Sequence, residues 1–483
     1  MRYKGCQKGS LTLFSILLVI LVVGCLLSLL EGARFLEMQR IARNRTLVAV
    51  ESAFANYNKC LWDTYRILGC NREEMEACLL LSGNGGYSES EYGINLFLMR
   101  TDEVAVERYT LLTDGNGAVY IEAVSNYMRN NMVYETAKAI YNQYDSVKAL
   151  LNSNQSDGTE IDKALESLEE LEKEKTQKKR TSAVSKGTSE SKGNLLTQIK
   201  SLQEKGVLEL VIQDSNHISN KEYELSEAVS QRSLQVGNKN VQEEIDWIDR
   251  ILLQQYFLTY LADYTNPKEN RAVAYELEYL IAGKDSDLEN LKYVVGEILM
   301  IREAANFAYL LTDNEKVQQA QLLAIGLAGA TVNAAAIEAV KYGILLAWSF
   351  AESVLDVRAL LAGKTVPLIK NRELWTLSLD NIEDFSEDYM MAKESKYGIS
   401  YQSYLGILIL FQKDHQLAYR SMDVQELTIQ QEAYPSLGMD DIVVQAQVNI
   451  TYCYRPAFTS METIVMGEKW DYKINTQARY EYN

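Results

Sequence analysis

At 483 residues, 47% of them hydrophobic and only four of them proline, the chain has material for one or two buried cores and favours long, uninterrupted helices. A net charge of −18 argues against a nucleic-acid reader. Having only two histidines, His217 and His415, excludes any short multi-histidine metal motif. The charge is also divided. Residues 1–45 hold seven Lys or Arg against two Glu, a net of +5, which leaves 41 basic and 64 acidic residues, or −23, for 46–483.

Within the basic head, Leu11 to Leu30 run for twenty residues without a charge. At ~1.5 Å per residue a helix of that length spans ~30 Å, the thickness of a bilayer's hydrocarbon core. A cleaved signal peptide has a shorter apolar region, and the lipobox-like Val22-Val23-Gly24-Cys25 leads into Leu26 and Leu27 rather than a polar tether. A retained single-pass anchor is therefore expected, with residues 1–10 in the cytoplasm and the body exported, although basic residues flank both ends. Gly24, Ser28 and Gly32 form a small-residue stripe suited to close helix packing in lipid. Glu31 stands at the boundary, with a partner's ammonium or Arg34 as counter-charge.

The helix is expected to continue past the membrane through residue 68, burying Leu47, Val50, Phe54, Tyr57, Leu61 and Leu68. Export exposes Cys60, Cys70, Cys78 and Cys453 to oxidation, and one bridge among the first three is the pairing to consider. Val104 to Leu112 and Ala118 to Val124, around Thr113-Asp114-Gly115-Asn116-Gly117, read as a β-hairpin. The Asp-x-Asn there lacks the Gly and Glu positions of a calcium loop. Residues 161–175 form a charged amphipathic pattern, and 176–194 read as a linker, whose Ser189 and Lys192 make a chance S-x-x-K match.

Helical patterns then cover 242–264, 275–283, 288–311, 317–328 and 332–362. The apolar stretch from Leu322 to Ile337 reads as a buried helix, or as two broken at Gly326 or Gly329, rather than a second span. At the end, 442–454 and 471–482 alternate with period two and read as strands. They are expected to join the hairpin in one antiparallel sheet against the N-terminal helix, with the helical region inserted between.

Phosphate-binding loops, HExxH, CxxC and Gly-x-Ser-x-Gly elbows are absent from the sequence. Asp214-Ser215-Asn216-His217 reads as a cap or loop rather than a triad, and His415 as a solvated helix end. Three carboxylate groups are worth weighing as glycosidase pairs: Glu276 with Glu278, on different helix faces; Asp285, Asp287 and Glu289 in a turn; and Glu352 with Asp356 on one face near Arg358. The simpler reading is caps and ion pairs of a packed helical domain. No catalytic, cofactor-binding or metal-binding residue is assigned.

The head Lys8-Gly9-Ser10-Leu11-Thr12-Leu13-Phe14, the apolar span and Leu30-Glu31-Gly32-Ala33-Arg34 resemble TadE/TadG-like proteins of the tight-adherence (Flp-type) pilus system. Tyr275 to Lys284, Ile301-Arg302-Glu303 to Asn306, Trp348 to Gly363, Val366 to Lys370 and Trp375 look like blocks of the larger Gram-positive, clostridial subfamily. Phe14 stands where a processed pilin, counted from Gly9, would have Glu, which argues against prepilin cleavage.

The expected protein is α+β and mostly helical. Its segments are a cytoplasmic tail (1–10), a transmembrane helix (11–30), a pilin-like long helix plus hairpin (31–153), a charged helix and linker (154–206), a helical domain (207–423) and C-terminal strands (424–483). The resemblance implies a non-enzymatic component of a Tad-like pilus or secretion apparatus. Its partners would be membrane lipid and apparatus proteins, or a second copy through the anchor, and not nucleic acid. A cell-envelope glycan hydrolase and an adhesin or sensor ectodomain are the alternatives.

Overall fold

The computed structural model describes residues 8–84, 99–129, 142, 144–149, 207–212, 218–238, 245–328, 334–379, 389–432, 434–457 and 472–482. The chain is α+β and mostly helical. It divides into two compact units, one of 1–123, 234–243 and 436–483, the other of 124–233 and 244–435. The division departs from the sequence boundaries in three places: the first unit stops at 123 rather than 153, it includes 234–243, and its C-terminal part starts at 436 rather than 424.

The first unit is built on α1, Lys8–Ala55, a single helix of 48 residues. It carries α2 (Lys59–Tyr65), β1 (Cys70–Asn71), α3 (Arg72–Asn84), β2 (Met99–Leu111), β3 (Ile442–Tyr454) and β4 (Tyr472–Glu481). The sheet is antiparallel with β3 at its centre. β2 pairs along one side of β3, from Met99 opposite Tyr454 to Leu111 opposite Val443, with three register shifts. β4 pairs along the other side, from Gln445 opposite Glu481 to Tyr454 opposite Tyr472, with none. β1 joins at Cys70 opposite Val443. The period-two alternation decides which residues turn inward: Ala446, Val448, Ile450 and Tyr452 of β3 and Ile474 and Ala478 of β4 form one core with Met38, Ala42, Ala49, Val50, Ala53 and Phe54 of α1.

Three expectations for this unit are corrected. The buried face of α1 is centred on small residues, while Leu47 is 44% and Tyr57 is 38% exposed. Alanines let the helix backbone approach the sheet; Val50 and Phe54 are buried in this core as expected, together with Met38, while Leu47 lies outside the contact. The helix also ends at Ala55 rather than running on, because the Asn58 side chain accepts the Leu61 N–H and caps α2.

The hairpin is the third correction, because only its first strand exists. Gly115, Asn116 and Gly117 take φ of 62°, 52° and 84°, and the chain leaves this turn as α4, Ala118–Arg129. Three consecutive left-handed residues, one more than a two-residue hairpin turn needs, steer the chain away from β2. Tyr120, Ile121, Val124 and Met128 are then buried at helical spacing. Asp114 closes the turn by accepting the N–H groups of Leu111 and Gly237, so its carboxylate is occupied by backbone.

The second unit comprises α5 (Val207–Val211), α6 (Trp247–Tyr260), α7 (Glu276–Ala282), α8 (Asp287–Thr312), α9 (Asn314–Ala328), α10 (Ala334–Leu361), α11 (Tyr401–Phe411) and α12 (Asp414–Glu432). Their starts are written in caps: Asp246 for α6, Ser286 for α8 and Ser400 for α11 each accept a first-turn N–H. α8 packs along α10, which also receives α9, and α7 lies among α8, α11 and α12. α12 runs to Glu432, so the C-terminal strands begin at 442 rather than 424. On the α9 side of the 322–337 stretch, Leu322 is 70% and Ile325 is 48% exposed, so a fully buried helix is not what forms there.

Candidate functional site on the N-terminal helix

From Leu11 to Leu30 the residues of α1 lie open to the surroundings, save a half-buried Leu27, and the helix has the length and composition needed to cross a membrane. Gly24, Ser28 and Gly32 are exposed on it. A β-carbon added at Gly24 or Gly32 meets nothing within 4 Å, so the stripe is open and can accept another helix at short range.

Glu31 marks where the open helix becomes a scaffold. Its carboxylate pairs with Arg34 at 2.6 Å and accepts the Ala457 N–H at 3.1 Å. Arg34 in turn donates from both terminal nitrogens to the Arg455 carbonyl at 3.2 Å. The chain just beyond β3 is thus clamped to the first turn past the apolar span. Arg34 was readable from sequence as a counter-charge. Arg455 and Ala457 were not, because they contribute backbone groups that leave no residue signature. Higher up, the Thr46 hydroxyl is buried against those of Thr476 and Tyr452, tying α1 to both C-terminal strands.

Of the carboxylates weighed as enzymatic groups, Glu276, Glu278, Asp287, Glu352 and Asp356 are buried inside the second unit, whereas Asp285 and Glu289 are exposed. Glu352, Asp356, Arg302 and Lys370 have no exposed side-chain surface, and their formal charges cancel. Arg302 donates to Asp356 at 2.8 and 3.0 Å and to the carbonyls of Pro367 and Leu368. Lys370 contacts Glu352 and lies 2.6 Å from Asp356. Glu352 accepts the N–H groups of Thr376 and Leu377, while Asn306 bridges Ser353 and Asp356. Burial opposes the charge on Asp356, but Arg302 and Lys370 outweigh it and hold the carboxyl below its usual range. The cluster satisfies the backbone of 367–377, an irregular segment that would otherwise bury unpaired carbonyls and amides. Beside it Trp348 and Trp375 both donate to the Leu377 carbonyl, and Lys316 lies over both rings.

Glu276 and Glu278 face different directions, as expected two residues apart, yet both are fully buried. Glu276 accepts the Ala262 N–H and sits 3.6 Å from Arg271. Glu278 accepts from the Tyr264 N–H and the Tyr401 hydroxyl through one oxygen, and its other oxygen is buried without a partner. Asp263, also fully buried, accepts three bonds from Thr265 and Asn266 on one oxygen and likewise leaves the other unpartnered. Burial first, then the Asp263 charge, push the Glu278 carboxyl up to about 8. Asp287 accepts from Ser219 and Tyr223, and Ser286 is a cap, so the group read as a turn is the start of α8. Asp285 and Glu289 make no comparable buried contacts.

His415 is exposed in the first turn of α12. His217, Ser189 and Lys192 lie outside the described residues. Among the described residues Cys25, Cys60, Cys70, Cys78 and Cys453 are thiols, so the bridge considered among Cys60, Cys70 and Cys78 is not formed. Cys70 is buried in the sheet core with its thiol directed at the Val443 carbonyl. No group of three or more His, Cys, Asp or Glu suited to a metal occurs among the described residues.

These features define an α+β protein whose sheet is carried by a helix able to span a bilayer, joined to a helical unit with a buried ionic core. Residues 185–454, more than half of the chain, match the family of unknown function DUF5702, and the chain belongs to that family. The match contains the whole ionic cluster and β3, and α1 lies outside it. No curated protein and no solved structure matches the chain.

Proposed function

We propose that the protein is a single-pass, membrane-anchored, exported structural or assembly component of a Tad-like (Flp-type) pilus or secretion apparatus. The N-terminus is cytoplasmic and the body extracellular. The protein works through helix packing in the membrane and docking of the body. The observation that carries this reading is the continuity of α1: an open, uncharged twenty-residue segment leads without a break into the helix that supports the sheet. The open Gly24, Ser28 and Gly32 stripe supports lateral packing, with an apparatus protein or a second copy. The resemblance of the N-terminal head and the central blocks to TadE/TadG-like proteins supports the apparatus, and the sealed carboxylates favour a scaffold over hydrolysis.

Replacing Gly24, Ser28 and Gly32 together with Leu is expected to reduce recovery of pilus or secretion partners with the tagged protein several-fold, while membrane insertion is retained. Undiminished recovery would count against the stripe. Protease added to intact cells should degrade the body and spare the anchor, and a protected body would overturn the orientation.

A further inference from the structure

One face of α8 borders a cavity of about 190 Å³ in the second unit. Tyr293, Glu297 and Met300 line it from α8, and Leu408 and Phe411 from α11. Gly296 shares the face of Tyr293 and Met300 by helical spacing, and a β-carbon there would meet nothing within 4 Å, so the space beside α8 is empty. The walls are apolar but not closed: Met300 is 56%, Tyr293 is 43% and Phe411 is 37% exposed. Apolar surface of this kind on a concavity marks a contact site rather than a random surface residue.

The single charge in the cavity selects the occupant. Glu297 is half-buried and has no cationic partner among the described residues. Burial first, then the charge of Glu297, push the Tyr293 phenol above its usual range. Arg420, whose charge reaches Tyr293, donates instead to the carbonyls of Leu280 and Ile281. An anion entering the cavity is repelled by Glu297. A neutral apolar group strips water from the carboxylate and gives nothing back. A cation on a slender apolar stem satisfies both parts, and the two rings add cation–π attraction. The cavity is also below the roughly 300 Å³ at which pockets for drug-sized molecules begin, so it admits one side chain rather than a helix.

We propose that this cavity is an anchor pocket for a lysine side chain of a partner protein. The four methylenes lie along Leu408 and Met300, and the ammonium pairs with Glu297 beside the faces of Tyr293 and Phe411. The inference goes beyond the apparatus reading and does not depend on it.

The test uses the full-length protein in lipid nanodiscs, labelled with ¹³C at the methionine methyl groups, with Met300 assigned through Met300→Leu. The probes are Nα-acetyl-lysine N-methylamide and its norleucine counterpart. The lysine probe should shift the Met300 resonance saturably and bind about fivefold more tightly than norleucine, the preference that one part-buried ion pair plus cation–π contacts supply. Glu297→Gln should bring the two probes to parity. Gly296→Leu, which has room for its side chain, should abolish the shift at an unchanged melting temperature. Equal affinity of wild type for both probes, or no saturable shift with lysine, overturns the proposal, as does retained lysine binding in Gly296→Leu. The Glu297→Gln comparison stands even if Gly296→Leu fails to fold.

Discussion

Glu278→Gln should change how stability depends on pH. In the native protein the Glu278 carboxyl is fully buried between Tyr264, Tyr401 and the charge of Asp263, and it titrates at about 8 rather than the ordinary 4.5. The folded state therefore holds a proton that the unfolded chain gives up near pH 4.5. The stabilisation is complete below that value and is lost as pH rises through about 8. At ~1.4 kcal/mol per pH unit, the interval between 4.5 and about 8 sets a ceiling of roughly 5 kcal/mol on the loss. Gln keeps the oxygen that accepts from Tyr264 and Tyr401 and replaces the carboxyl proton with an amide that does not titrate. Glu303, pushed by burial to about 7, and the raised Asp287 and Asp423 lose protons in the same direction, so the informative quantity is the difference between variant and wild type. Melting temperatures of full-length protein, followed by circular dichroism from pH 5.5 to 9, should show wild type falling relative to Glu278→Gln by roughly 4–10 °C. Parallel curves would refute the assignment of a buried proton to Glu278.

Arg302→Met and Lys370→Met each strand a buried carboxylate and should cost about 3–5 kcal/mol, measured by denaturant unfolding. The double variant with Glu352→Gln and Asp356→Asn should lose less than the summed single changes. Arg34→Ala removes the tie to Arg455 and the ion pair with Glu31. It should lower stability by about 1–2 kcal/mol and increase hydrogen exchange at the end of β3 without affecting the second unit. Cys70, whose thiol burial pushes up to about 12, should resist iodoacetamide at pH 8 in the native protein and react fully in denaturant, as read by mass spectrometry.

The elements most legible in the sequence are those in which period and cap agree. The helices from α6 to α10 fall within a few residues of their expected spans because their apolar period runs without proline, while the caps Asp246 and Ser286 set the exact starts of two of them. The alternation of 442–454 and 472–481 identifies their inward residues correctly. Ala118 to Val124 deceives because a short apolar run fits either period, and the decision is made upstream by the left-handed turn. The face of α1 deceives because hydrophobicity ranks Leu47 above Ala42, whereas the sheet selects for closeness. Glu352 and Asp356 are visible as one face of a helix, but their partners lie 18 and 54 positions away in Lys370 and Arg302, a separation no local pattern reports.

The stripe of Gly24, Ser28 and Gly32 and the clamp at Glu31 belong to one uninterrupted helix, so their bearings can be compared. At ~100° per residue, the centre of the stripe and the centre of the sheet-facing residues Met38, Ala42, Thr46, Ala49 and Ala53 point roughly 40° apart, on the same side of the helix. A helix resting on the stripe therefore stands beneath the sheet, not behind it. It cannot continue upward as α1 does, because the end of β3, held by Arg34 to the first turn above the span, occupies that path. Any such neighbour must end or turn aside at the level of Glu31, whereas on the opposite bearing Leu36 and Val48 are exposed among the described residues.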